Sequence, residues 1–68
     1  MSVAKVIEII SSSQVSFDDA VTQGIAKASE TITGIAGAWV QDQSVEIANG
    51  KVIVYKVTLK LTFVLKAD

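Results

Sequence analysis

The stretch that decides the fold is Asn49-Gly50-Lys51-Val52-Ile53-Val54-Tyr55-Lys56-Val57-Thr58-Leu59-Lys60-Leu61-Thr62-Phe63-Val64-Leu65. Within it Ile53, Tyr55, Val57, Leu59, Leu61, Phe63 and Leu65 alternate with Lys56, Thr58, Lys60 and Thr62. Successive side chains of a strand point to opposite faces, so this alternation specifies a long strand with one apolar and one polar face. Asn49-Gly50 supplies two residues that tolerate positive φ, as both central positions of a two-residue type I′ turn require. The turn ties the preceding arm, Gly37–Ala48, back against Lys51–Leu65 as an antiparallel hairpin.

Working outward, Ser16-Phe17-Asp18-Asp19 has the form of a helix start, with Asp19 three residues after the capping serine. The two acids sit where a helix N-terminus favours negative charge. Phe17, Val21, Gly24, Ile25, Ala28, Ile32 and Ile35 then form one stripe at helical spacing. Gly34 and Gly37 mark its end. Gly24 costs about 1 kcal/mol relative to Ala inside a helix, so its place on the stripe suggests close approach by a neighbouring element. Val3–Ile10, rich in Val and Ile and followed by Ser11-Ser12-Ser13, reads as a first strand. The expected class is α+β, with a β-α-β-β order and a three-stranded antiparallel sheet curled around one helix. No linker or composition break divides residues 1–68, which read as a single domain.

Composition removes whole classes of function. The chain has 68 residues, no Cys and no His, and six positive against seven negative side chains. Disulfides, thiol nucleophiles, the usual zinc sites and imidazole-based catalysis are excluded. All six cations are Lys, and a near-neutral chain without Arg is poorly equipped for nucleic acid. The longest run without a polar side chain, from Gly34 to Val40, is too short to span a bilayer. No signal peptide is evident, because Lys5 and Glu8 interrupt the N-terminal apolar residues. The expectation is a cytoplasmic protein without membrane or nucleic-acid partners. It is also expected to be no enzyme, since nothing pairs the available carboxylates, lysines and hydroxyls at catalytic spacing.

A regular hairpin register sets Trp39 opposite Lys60, Gln41 opposite Thr58 and Gln43 opposite Lys56, all on the face away from the helix. Nearer the turn, the same face would carry Val45 and Ile47 opposite Val54 and Val52. A β-bulge would shift this register. A helix from Phe17 to Gly34 is about 27 Å long, while Lys51–Leu65 extends about 50 Å. The turn end therefore overhangs with apolar side chains on both faces, and a subunit contact would cover it. Trp39 has two readings. As an aromatic platform for a small planar ligand it would work with Gln41, Gln43 and Lys56, with Lys56 or Lys60 meeting a phosphate. As an interface anchor it would hold a second subunit. Glu8, Asp18, Asp19, Asp42 and Glu46 could contribute oxygen ligands to a hard cation, although no loop has the spacing of a dedicated site.

The sequence resembles the dodecin family along its whole length. The likeness lies in Lys5-Val6-Ile7-Glu8-Ile9, Ser16-Phe17-Asp18-Asp19-Ala20, Ala28-Ser29-Glu30-Thr31-Ile32, Tyr55-Lys56-Val57-Thr58-Leu59 and Phe63-Val64-Leu65. The resemblance implies a β-α-β-β subunit, a hollow homo-dodecamer, and binding or storage of a flavin such as FMN or riboflavin. In gapless alignment the family's flavin-stacking Trp falls at Gly37, and the Gln that bonds the flavin ring falls at Lys56. Trp39 lies one pleat further along, on the same face as position 37. The alternative reading is a structural assembly that has lost flavin binding and takes another ligand or a metal ion.

Overall fold

A computed structural model describes residues 3–65. The single domain expected over residues 1–68 runs past these at both ends, so its outermost residues lie outside the described part. The order is β1 (Val3–Ser13), α1 (Phe17–Ser29), β2 (Ile35–Ala48) and β3 (Lys51–Leu65). The three strands form an antiparallel sheet in the order β1-β3-β2, so the alternating strand is central. The expected α+β, β-α-β-β subunit is the one observed.

The central strand supplies the core. Val57, Leu59 and Leu61 are buried together with Ala20 of the helix, and Ile7, Ile9, Phe17, Val21, Ile25, Ala28 and Ile35 pack around them. Ala20, which the apolar stripe passed over, is fully buried because it faces the crowded centre of the sheet. Gly24 shows why small residues stand here. A Cβ added to it would lie 2.8 Å from Ser11 Cβ, so α1 can settle on β1 only without that atom.

Ser16 caps the helix as expected, its hydroxyl accepting from the Asp19 amide at 2.9 Å. The Asp19 carboxylate instead accepts from Ser13 Oγ at 2.6 Å, which fastens the end of β1 to the first helical turn. Ser11 Oγ donates to the Ala20 carbonyl at 2.7 Å. Two residues of the serine run thus join the strand to the helix, and β1 continues past Ile10 to Ser13.

The helix is shorter than expected. It closes at Ser29 with Glu30 as its C-cap, and Gly34 with φ 81° turns the chain into β2. Gly37 is a strand residue opposite Thr62, not part of the helix end. Thirteen helical residues rise about 20 Å, against about 50 Å for the central strand. The molecule extends 55 Å along its longest axis, and its 14.1 Å radius of gyration exceeds the roughly 11 Å of a compact chain this long. The difference is the hairpin, which runs past Phe17 and Tyr55. Those two rings meet edge to face at 5.1 Å, where helix cover begins. Asn49 and Gly50 have φ of 54° and 76°, as the two-residue turn demands. Beyond Tyr55, Val45, Ile47, Val52 and Ile53 are exposed.

Candidate functional site

The hairpin register is not regular, and this redraws the site. The ladder slips between Ile35 and Gly37, between Val40 and Asp42, and between Glu46 and Ile47. Trp39 faces Lys60 and Ile47 faces Val52, as expected. Between the second and third slips, however, β2 reverses its faces. Asp42, not Gln41, is opposite Thr58; Ser44, not Gln43, is opposite Lys56; and Glu46, not Val45, is opposite Val54. Gln41 is the extra residue of a bulge. A two-residue side-chain period means that one inserted residue exchanges everything beyond it between faces. Gln43 now faces Val57 and Val45 faces Tyr55, on the helix side of the sheet. Gln43 is therefore not beside Trp39.

The face away from the helix can be read in rows across β1, β3 and β2. The rows are Val6-Thr62-Gly37, Glu8-Lys60-Trp39, Ile10-Thr58-Asp42 and Ser12-Lys56-Ser44. Trp39 is 50% exposed and Ile10 70%. Gly37 presents no side chain one pleat from the indole, and the nearest atom to a Cβ built there is Thr62 Oγ1 at 3.1 Å. The Thr62 hydroxyl thus closes over the backbone at Gly37, and the half-exposed indole is what this face offers to a planar ring.

Both described lysines of this face are already paired. Lys60 Nζ lies 3.3 Å from Glu8 Oε1, and Lys56 Nζ lies 3.2 Å from Glu46 Oε2. The phosphate contact expected of these lysines therefore meets ammonium groups that already have carboxylate partners. Glu8 reaches Lys60 because β1 pairs with β3, which a hairpin argument cannot supply. Glu46 reaches the Lys56 face only because of the bulge. Among the described residues no group of three or more His, Cys, Asp or Glu could hold a metal ion.

A second depression lies between the free edge of β1 and the helix C-terminus. It encloses about 460 Å³ and is lined by residues that include Ile9, Ser11, Gly24, Ala28 and Ile32. Its charged members, Lys27 and Glu30, pair with each other at 3.4 Å. No unpaired charge converges there, so it offers less directed chemistry than the Trp39 face.

The sequence model of the Dodecin family matches residues 3–66. The chain belongs to the dodecin family. Its fold is similar to that of a Thermus thermophilus protein at 24% identity, with all of both chains covered and a TM-score of 0.92. A dodecin of Streptomyces coelicolor is 28% identical, covers 98% of this chain and 96% of its own, and has a TM-score of 0.90. The calcium dodecin of Mycobacterium tuberculosis, described as having a novel calcium-binding site, is 29% identical, with 98% and 96% covered and a TM-score of 0.80. No curated protein matches the chain. Dodecins are non-enzymatic proteins that bind small ligands such as flavins and form homo-dodecamers. No helix of the described residues is long and apolar enough to cross a membrane.

Proposed function

We propose that this chain is the subunit of a cytoplasmic, non-enzymatic homo-oligomer, a dodecamer by its family, that binds or stores a small planar ligand against Trp39. By family the ligand is a flavin, FMN or riboflavin. One observation carries the reading: a half-exposed indole on a sheet face that none of the described elements covers. Gln41, the bulge residue two positions along β2, offers an amide to the ring edge. Lys56 would border the ligand while held by Glu46. Gln43, turned to the helix side, has no part in this arrangement.

Self-association follows from the exposed residues. Val6, Ile10, Val64 and Trp39 on the sheet face, with Ile47 and Val52 near the turn, are all exposed, and a partner subunit would cover them. A small core gives a second reason for a partner.

Titrating riboflavin and FMN against the fluorescence of the single Trp tests the ligand assignment. Saturable quenching at micromolar ligand is expected, and Trp39→Ala should abolish the flavin's own spectral change. An intact assembly that shows neither response would overturn it. The second reading, a structural assembly without flavin, is favoured by Lys56 being engaged with Glu46, and the resemblance that aligns the stacking Trp with Gly37 points the same way. It expects Trp39→Ala to shift the size-exclusion profile toward smaller species with or without flavin. A variant that elutes as wild type but fails to bind supports the first reading.

A further inference from the structure

We propose that the Trp39 face selects an uncharged planar ligand and discriminates against its phosphorylated form, with Glu8, Asp42 and Glu46 setting that preference; this rests on the ligand reading given above. The argument is one of charge placement. Among the described residues, two ammonium groups, Lys56 and Lys60, stand on this face against three carboxylates. Each ammonium is within 3.3 Å of a carboxylate oxygen, Lys60 at Glu8 and Lys56 at Glu46. Asp42, opposite Thr58 in the row next to Trp39, makes no ion pair among the described residues. The face therefore carries an excess of negative charge where a planar ligand would lie.

The other described lysines cannot offset this excess. Lys5 faces Phe63 on the helix side, and Lys27 is on the helix, paired with Glu30. Lys51 sits at the turn, about 30 Å along β3 from Lys60. That is several times the screening length of roughly 8 Å at physiological salt. Asp42, one row from Trp39 and about 7 Å along the strand, lies within that length.

A phosphomonoester brings close to two negative charges at neutral pH. To bind it, Lys60 would have to leave Glu8, stranding that carboxylate beside the incoming anion. The chain has no Arg to provide a forked donor in its place. An uncharged ring asks for none of this. It needs the indole face and hydrogen bonds from neutral groups such as Gln41 and Thr62.

The test uses the assembled protein, with Trp39 fluorescence as the readout, and titrates riboflavin and FMN in parallel. In about 0.1 M salt, where charges act over roughly 10 Å and Lys51 stays out of range, riboflavin should bind several-fold more tightly than FMN. In about 1 M salt, where the range shrinks to roughly 3 Å, the ratio should approach one. Glu8→Gln frees Lys60, and Asp42→Asn removes the unpaired carboxylate. Each should raise FMN affinity several-fold at low salt and leave riboflavin unchanged. Equal or tighter FMN binding by the wild type at low salt, or a preference indifferent to salt and to both substitutions, overturns the charge argument while the ligand reading stands. If neither flavin quenches, the ligand reading has failed and this inference falls with it.

Discussion

The two faces of the same three-stranded sheet behave as different materials. On one, Val57, Leu59 and Leu61 lie under the helix with essentially no exposure. On the other, the residues between them (Thr58, Lys60 and Thr62) form a partly open lattice flanked by exposed Ile10, Val6 and Trp39. Backbone hydrogen bonding is common to both, so the contrast comes from what covers each face. Under the helix the first face is finished within one chain, although Val45 and Ile53 on the overhanging hairpin stay exposed. The Trp39 side is polar enough to be wetted, yet too apolar to be left so. On the function proposed above, that second face is where association and ligand binding would be added without disturbing the first.

The contrast predicts where substitutions will hurt. The largest effect belongs to Leu59→Ala, which opens a cavity at the most enclosed point of the core. Large-to-small changes of this kind cost about 2–5 kcal/mol. For a chain this short that is a fall in Tm of at least about 10 °C, readable by circular dichroism. A loss as small as that of a surface change would show that the helix face is not the main source of stability.

Next comes Gly24→Ala. Helix propensity alone favours it by about 1 kcal/mol. The added Cβ, however, would sit 2.8 Å from Ser11 Cβ, where neither backbone can yield cheaply. Overpacking costs of about 1–3 kcal/mol should win, so a net loss is expected. Combining it with Ser11→Gly removes the clashing atom. The double variant should lose less than the two single losses added together. Strict additivity would mean that the close approach of α1 to β1 is not what keeps a glycine there.

Ser16→Ala should cost about 1 kcal/mol through the lost helix cap, in thermal or urea unfolding. No change would place the tether of α1 in the Ser13–Asp19 bond instead.

These positions also show what the sequence made legible. The period of two in β3, the Asn49-Gly50 turn and the cap at Ser16 are local signals, each decided by a few adjacent residues. They led to the element order and to Trp39 opposite Lys60. The close approach at Gly24 was legible as a residue that pays a helix penalty without local benefit. What could not be read was set by non-local geometry. The bulge at Gln41 leaves no mark in composition, yet it moved Gln43 to the helix side and brought Asp42, Ser44 and Glu46 round to the Lys56 face. Glu8 meets Lys60 only because β1 lies beside β3, and strand order is a tertiary fact. The helix end was overestimated because Ile32 and Ile35 continue the apolar period past Ser29, where Thr31, Thr33 and Gly34 do not sustain the helix.

The smallest expected effect sharpens the contrast most. Glu46→Gln breaks the Lys56 ion pair, whose two side chains are 42% and 51% exposed. Pairs as open as this are worth about 0–1 kcal/mol, so unfolding should barely register the change. The same substitution on a buried face would leave an unpaired charge and cost far more. Ligand selectivity should respond where stability does not. Removing one carboxylate and releasing one ammonium should ease FMN binding at low salt, by less than Glu8→Gln does, because Lys56 lies two rows further from Trp39 than Lys60. Urea unfolding and parallel flavin titrations on one preparation would separate the two responses. If Glu46→Gln lowers stability by more than about 1 kcal/mol and leaves the flavin ratio unchanged, the pair holds β2 in its bulged register, and the charge pattern of this face serves folding before it serves a ligand.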